Sequence, residues 1–152
     1  MSLQTKINED LKIALKAKNE PLLSTLRMLK SDIQYELTKT GASSLSDEQV
    51  ISILKKNSKQ RLESSKEYQK AGREDLAKKE EAEASLINSY MPAAVSEEDI
   101  KKAVTDAIRE LSPKGTSDMG KVMGKVMQVF KGKNVDGSSV SSIVKAKLEE
   151  IA

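Results

Sequence analysis

Apolar residues recur every three or four positions along almost the whole chain, and nowhere do apolar and polar residues alternate over the length of a strand. A spacing of three or four places side chains on one face of an α-helix, whereas a half-buried strand needs a period of two. The first helical stripe is formed by Leu3, Ile7, Leu11 and Leu15. The pattern therefore predicts an all-α protein of roughly four helices followed by three.

Helix-starting and helix-breaking residues divide this pattern into elements. Pro21 fits the first turn of a helix but not its interior, so a second helix is predicted to begin there. Ser46 followed by Gln49 predicts a capping box at the start of a third helix. Beyond Leu62 this helix becomes rich in Lys and Glu, and residues 73–90 resume helical composition. Together they predict a long helical hairpin with solvated faces.

Pro92 marks the predicted domain boundary. Its ring disfavours a helical conformation at Met91, so the fourth helix should end there. We therefore expect an N-terminal helical domain over residues 1–92 and a C-terminal three-helix domain over residues 93–152. The predicted N-caps of the three C-terminal helices are Ser96, Ser117 and Asp136.

The composition excludes several kinds of chemistry. The chain contains no cysteine and no histidine, so it lacks disulfides, thiolate ligands and the commonest general base. We accordingly predict no catalytic residue, no metal site and no cofactor. Three tyrosines and one phenylalanine are its only aromatic residues, which argues against base stacking as the main mode of nucleic-acid recognition. No long apolar run and no secretory signal is present, so a cytoplasmic protein without membrane contact is expected.

The most unusual segment, residues 119–133, repeats Gly-Lys-Val-Met and then continues to Lys-Gly-Lys. Gly120 and Gly124 lie four residues apart and therefore share one face of the predicted helix. Each glycine costs about 1 kcal/mol relative to alanine inside a helix. We predict that close packing against another helix offsets this cost at both positions. Gly132 suits the left-handed residue that follows the helix.

Basic residues concentrate around the same segment. From Lys114 to Lys147 there are seven basic residues and two acidic ones, although the whole chain carries a net charge of only +3. The candidate nucleic-acid-binding residues are Lys121, Lys125, Lys131, Lys133 and Lys145. Helix N-termini at Asp118 and Asp136 would add backbone amide protons for phosphates. An ordinary solvated helix surface remains the alternative.

Two further clusters of polar and basic residues leave the same choice open. One consists of Arg27, Lys30 and Gln34, and the other of Lys55, Lys59, Gln60 and Arg61. Either cluster could line a binding face. The alternative is that they keep the protein soluble or form surface ion pairs with Glu80, Glu81 and Glu83, each pair worth about 0–1 kcal/mol.

Several motifs together resemble the YqeY-like family across essentially the whole chain. They lie at residues 26–34, 89–92 and 95–100, and at residues 118–127 and 131–140. Members of that family are similar to the tail of the B subunit of the bacterial glutamine-dependent aspartyl/glutamyl-tRNA amidotransferase. The resemblance implies an all-helical fold whose C-terminal part is a three-helix domain, and it implies tRNA as a partner. The chain resembles neither catalytic part of that enzyme.

Three functional hypotheses follow. The first is a non-catalytic module that binds tRNA or another structured RNA through the lysines named above. The second is an adaptor that docks onto a protein of tRNA aminoacylation or amidation through the helical hairpin and the Gly120 and Gly124 face. The third, implied only by the resemblance, is a part in a glutamine-dependent carbon–nitrogen ligase system.

Overall fold

Residues 1–151, which the computed structural model describes, form seven α-helices and one 3₁₀ turn, with no strand among them. The all-α prediction is confirmed. The helices are α1 (Leu3–Ala17), α2 (Glu20–Thr40), α3 (Asp47–Lys70), α4 (Glu74–Asn88), α5 (Glu97–Leu111), α6 (Met119–Val129) and α7 (Gly137–Ile151). They belong to two compact units, one from Met1 to Met91 and one from Pro92 onward. The predicted division into two domains, with the boundary after residue 92, stays a prediction.

Side-chain caps begin three of the helices as predicted. At α3, Gln49 N–H donates to Ser46 Oγ at 3.2 Å and Ser46 N–H donates to Gln49 Oε1 at 2.9 Å, which completes the capping box. Asp99 N–H donates to Ser96 Oγ at 3.1 Å at the start of α5. At the start of α7, Ser138 N–H donates to Asp136 Oδ1 at 3.1 Å. These bonds satisfy amide protons that have no partner within the first helical turn.

The prediction that Ser117 caps α6 is wrong. Residues Thr116–Asp118 form a 3₁₀ turn that runs directly into α6, and Met119 N–H donates to the Thr116 carbonyl. The residue before the helix is Asp118, which makes no side-chain cap and instead accepts a 2.9 Å hydrogen bond from Lys114 N–H. Because the turn supplies a backbone partner for the first amide of α6, the Ser117 hydroxyl is not needed there.

The N-terminal unit buries the apolar stripes of α1 and α2 against α3 and the end of α4. Its core residues include Ile7, Leu11, Ala14, Leu26, Leu29, Ile33, Val50, Leu54 and Ile87. The predicted stripe on α1 is wrong at one position, because Leu15 is 47% exposed and Ala14 is buried in its place. Ala14 follows Ile7 by seven residues, which is closer to two full helical turns than the eight residues to Leu15.

The predicted hairpin is formed by α3 and α4, which are joined through Gly72 at a φ of 74°. Many residues on its outer faces are exposed, but its inner seam is polar and largely closed to water. Ser65 is buried and its Oγ donates to Glu81 Oε1 at 2.9 Å. Ser58, also buried, donates to Asn88 Oδ1 at 2.8 Å. The hairpin is therefore held by specific hydrogen bonds as well as by apolar packing.

Arg61 forms the central charge contact of this hairpin. Its Nη1 lies 3.4 Å from Glu80 Oε2 and its Nε lies 3.1 Å from Glu83 Oε2. The Nε–Glu83 contact does not have the geometry of a hydrogen bond and so acts by charge attraction. The Arg61 side chain is only 16% exposed, so the predicted surface pairs are in fact largely buried. Removing one partner of such a group is costly because the others keep their charge away from water.

The C-terminal unit packs α5, α6 and α7 around one apolar core. The core residues include Ile100, Val104, Val122, Val126, Phe130, Val140, Val144 and Leu148. The segment before α5 is tied to the connection between α6 and α7, because Val95 N–H donates to the Asn134 carbonyl at 2.8 Å. Asn134 Nδ2 in turn donates to the Pro92 carbonyl at 3.0 Å. This part of the fold positions the lysine-rich segment.

Candidate nucleic-acid interface

The lysine-rich segment lies on α6 and on the connection to α7. Val122 and Val126 face the core, and the 3.6-residue period turns Lys121 away from them into solvent. Gly132 has a φ of 76°, as predicted for the residue that follows the helix. Lys131 and Lys133 flank this glycine and are both exposed.

Four of the predicted lysines are exposed and make no ion pair with any residue among 1–151. They are Lys121, Lys131, Lys133 and Lys145. Three of them belong to α6 and its C-terminal connection, whereas Lys145 lies on α7, about 12 Å along the axis from its first residue. Because none of the residues described contributes a carboxylate to their ammonium groups, these lysines are available to an anion from outside.

Lys125 differs from the other predicted lysines. Its Nζ lies 3.1 Å from Glu110 Oε1 on α5, and its side chain is 37% exposed. The contact ties α6 to α5 across a cleft of about 220 Å³ that Ala103, Val129 and Phe130 help to line. A phosphate would have to compete with the Glu110 carboxylate for this lysine. The structure therefore gives Lys125 a different role from the four unpaired lysines.

Gly120 and Gly124 do not serve the close packing predicted for them. Both are exposed, and a Cβ added at either position would meet no atom within 4 Å. The reason is the orientation of α6, because its core-facing side carries Val122 and Val126 and the glycines lie off that side. The cost of the two glycines is thus not offset by packing in the part of the chain that the structure describes.

Charge is distributed unevenly among the C-terminal helices. In α5 there are five acidic and three basic residues, whereas α6 carries two lysines and no acidic residue. Part of the acidic charge of α5 is neutralised locally, by Lys101 beside Glu97 and by Arg109 beside Asp106. Unpaired positive charge therefore collects on α6 and the following connection.

The Asp136 side chain occupies the N-terminus of α7. Asp136 Oδ1 accepts from Ser138 Oγ at 2.8 Å and from Ser138 N–H at 3.1 Å, and Asp136 Oδ2 accepts from Ser139 Oγ at 3.0 Å. The hydrogen bonds from the Ser138 and Ser139 hydroxyls hold the pKa of the Asp136 carboxyl below its usual value. A carboxylate in this position repels a phosphate, so the structure does not support the predicted phosphate contact at this helix end.

The first of the two additional clusters forms one surface on α2. Arg27, Lys30 and Gln34 are exposed and line a shallow cleft of about 550 Å³. Tyr35 lines the same cleft and is 71% exposed. Tyr35 was not among the predicted binding residues, although its position off the stripe formed by buried Leu29 and Ile33 was a usable signal.

The second additional cluster is divided by the structure. Arg61 is turned toward α4, whereas Lys59 and Gln60 are exposed. Lys55 is half-buried. These four residues therefore do not form one binding face.

Within residues 1–151 no group of three or more Asp, Glu, His or Cys side chains converges as it would around a metal ion. None of the helices described there combines the length and the apolar character that crossing a bilayer requires.

The chain matches the model of the YqeY-like protein family over residues 4–148. It is 33% identical to altered inheritance of mitochondria protein 41, mitochondrial, of Pyrenophora tritici-repentis, over 96% of this chain and 78% of that protein. The protein of the same name from Clavispora lusitaniae is 32% identical over 72% of this chain and 65% of its own length, just under two thirds. An uncharacterized protein of Schizosaccharomyces pombe is 33% identical over 62% of this chain and 76% of that protein.

These comparisons correct one prediction and confirm another. The predicted cytoplasmic location is wrong, because the relatives that carry the name altered inheritance of mitochondria protein 41 are named as mitochondrial proteins. That prediction used the absence of an apolar secretory segment, which carries no information about mitochondrial targeting because such targeting segments are amphipathic and basic. The resemblance drawn from the motifs is confirmed by a match that covers nearly every helix. The chain belongs to the YqeY-like protein family.

Proposed function

We propose that this protein is a non-catalytic RNA-binding module whose C-terminal unit contacts the phosphates of tRNA or another structured RNA. The observation that carries the proposal is the set of exposed lysines at positions 121, 131, 133 and 145, which form no ion pair within the described residues 1–151. A lysine that contacts a phosphate releases condensed counterions and so contributes binding free energy without reading sequence. Selectivity among RNAs would then come mainly from their shape.

The separation of charge within the C-terminal unit supports this assignment. Positive charge on α6 and its connection attracts an RNA backbone, whereas the net negative charge of α5 repels it. The RNA is thereby directed to one side of the unit. The family's resemblance to the tail of an amidotransferase subunit supports an accessory role, in which this protein assists an aminoacylation or amidation enzyme and that enzyme carries out the reaction.

The proposal is tested by titrating bulk tRNA into the protein over a range of salt concentrations. The slope of log affinity against log salt is negative. If all four lysines contact phosphates of a duplex-like arm, replacing them with Gln should make this slope less steep by about 3.6. A matched control replaces Lys12, Lys16, Lys66 and Lys78, which are exposed on the N-terminal unit, and removes the same net charge. An equal loss of affinity in both variants, or in neither, would contradict the proposal.

A protein-binding adaptor is the second candidate, and the open surface at Gly120 and Gly124 favours it. Without side chains at these positions the backbone of a partner helix can approach α6 closely. Leu at both positions would block such an approach, because each side chain would project from the exposed face. Co-purification of a tRNA aminoacylation or amidation enzyme that survives RNase treatment and is lost in the double Leu variant would favour this candidate over the first.

A further inference from the structure

We propose that α2 carries a second RNA contact, in which the Tyr35 ring stacks on an unpaired base while Arg27 and Lys30 bind phosphates of the same strand. The ligand is a single-stranded RNA segment, either free or in a loop of a structured RNA. The inference deepens the proposed function and rests on it only in taking RNA as the ligand. The site lies on the N-terminal unit and uses none of the C-terminal lysines.

The position of Tyr35 is the first observation. The ring is 71% exposed, although α2 buries Leu29 and Ile33 nearby. It lines both the shallow cleft that contains Arg27 and Lys30 and a second groove between α2 and α3. An exposed aromatic ring between two concave surfaces offers a flat face for a base, and stacking on such a ring tolerates any base.

The charge on the shallow side is the second observation. That cleft is lined by Arg27, Lys30, Ser31, Gln34, Tyr35 and Thr38, so it has two basic residues and no acidic one. Neither Arg27 nor Lys30 forms an ion pair within the described residues. Three residues of helix separate them by about 4.5 Å along the axis, so both can contact the same stretch of backbone. The serine, threonine and glutamine side chains add uncharged hydrogen-bonding groups.

The groove on the other side of Tyr35 has no net charge, because two lysines, Lys39 and Lys56, line it together with two carboxylates. It measures about 640 Å³, and its lining includes the carboxylates of Asp32 and Glu36 and the carboxamide of Asn57. Asn57 is 5% exposed and is held in place, because its Nδ2 donates to Asp32 Oδ2 and to the Ile53 carbonyl, each at 2.9 Å. Carboxylates repel phosphates but accept hydrogen bonds from the N–H groups of bases.

These observations give the site a direction. A base that stacks on Tyr35 would extend toward the groove, where Asp32 and Glu36 can accept protons from its N–H groups, and its phosphates would lie on the side of Arg27 and Lys30. The reverse orientation would move the phosphates from a cleft with two basic residues and no acidic one to a groove whose two lysines and two carboxylates cancel in charge. One exposed ring accounts for one stacked base, which agrees with a protein that has few aromatic residues.

The probe for this site is a fluorescently labelled RNA of eight uridines, titrated into the full chain. Replacing Tyr35 with Ala should weaken its binding by roughly 5-fold to 150-fold, the range found when one base loses its aromatic partner. The Y35F variant keeps the ring and should bind within about twofold of the parent protein. Because Tyr35 is exposed, both variants should retain the parent circular dichroism spectrum.

Two further measurements separate stacking from charge. An eight-residue abasic RNA backbone should bind the parent and the Y35A variant equally, since it has no base to stack. Replacing both Arg27 and Lys30 with Gln should make the slope of log affinity against log salt for the uridine probe less steep by about 1.4, whereas Y35A should leave that slope unchanged. Binding of the probe by Y35A as tightly as by the parent would overturn the inference. The α2 surface would then be assigned to contact with a protein partner. Binding by Y35F as weak as that of Y35A would also overturn it.

The four-lysine variant of the C-terminal unit distinguishes the two proposals. If it loses tRNA affinity but still binds the uridine probe in a Tyr35-dependent way, both proposals are supported. If its tRNA affinity matches that of the parent while Y35A weakens the uridine probe, the proposed function fails at the C-terminal unit and the α2 site stands. If it loses tRNA affinity while Y35A has no effect on the probe, only the α2 site is overturned.

Discussion

The hydroxyl of Tyr90 donates a 2.6 Å hydrogen bond to Oδ2 of Asp10, a residue 80 positions earlier in the chain. Tyr90 is buried, and the ammonium group of Lys6 lies 5.5 Å from the centre of its ring. The bond fastens the segment that follows α4 to α1. It therefore joins the two ends of the N-terminal unit.

Replacing Tyr90 with Phe tests this bond and its dependence on pH. Burial, together with the hydrogen bond to Asp10 and its negative charge, raises the pKa of Tyr90 above the ordinary value of 10.0. The folded protein therefore keeps a proton that the unfolded chain releases, so this contribution to stability is present below about pH 10 and falls as the pH rises further. Near pH 7 the Phe variant should be about 1–2 kcal/mol less stable than the parent.

The measurement is urea unfolding of the parent and the Phe variant near pH 7 and near pH 11. The difference in unfolding free energy between the two proteins should shrink at the higher pH. Comparing them cancels the titration of the lysines, which both proteins share. A difference that stays constant would show that the Tyr90 hydroxyl does not titrate differently in the folded and unfolded states.

Removing the Arg61 side chain should destabilise the hairpin of α3 and α4. The R61A variant leaves Glu80 and Glu83 without their partner while their side chains are only 19% and 18% exposed, so we expect a loss of about 3 kcal/mol in unfolding free energy. The control is K70A, which removes the exposed partner of Glu67 and should change stability by less than about 0.5 kcal/mol. Thermal unfolding followed by circular dichroism measures both, and equal effects would contradict the buried role of Arg61.

Replacing Gly120 or Gly124 with Ala should stabilise the protein by about 1 kcal/mol at each position, because alanine loses less backbone entropy in a helix and meets no atom there. The matched control is G132A. It also meets open space, but its φ of 76° strains an L-residue, so it should destabilise by about 1 kcal/mol. Urea unfolding checks the opposite signs. Destabilisation by G120A or G124A would instead reveal a close packing contact at these glycines.

Local features of the sequence were sufficient to predict the helices and most of their ends. The capping box of Ser46 and the cap at Ser96 involve residues within three positions of each other, and the left-handed conformation at Gly132 depends on a single residue. The cap predicted at Ser117 is wrong because a 3₁₀ turn provides the hydrogen-bond acceptor for the first amide of α6. That turn depends on the conformation of the whole α5–α6 connection. Helix type is thus a local property, whereas connection geometry is not.

The tertiary structure alone decided which charged and aromatic side chains are free. Lys121 and Lys125 have the same local sequence, Gly-Lys-Val-Met, yet only Lys125 meets a carboxylate, because Glu110 lies on the helix packed beside it. In the same way Arg61 is paired with a glutamate of α4, while Tyr35 stays exposed between two clefts. The sequence by itself determined which face of each helix is apolar, since that follows from a period of 3.6 residues along one chain segment. It could not determine the partner of a polar side chain, because that partner lies on another helix and is selected when the apolar faces pack.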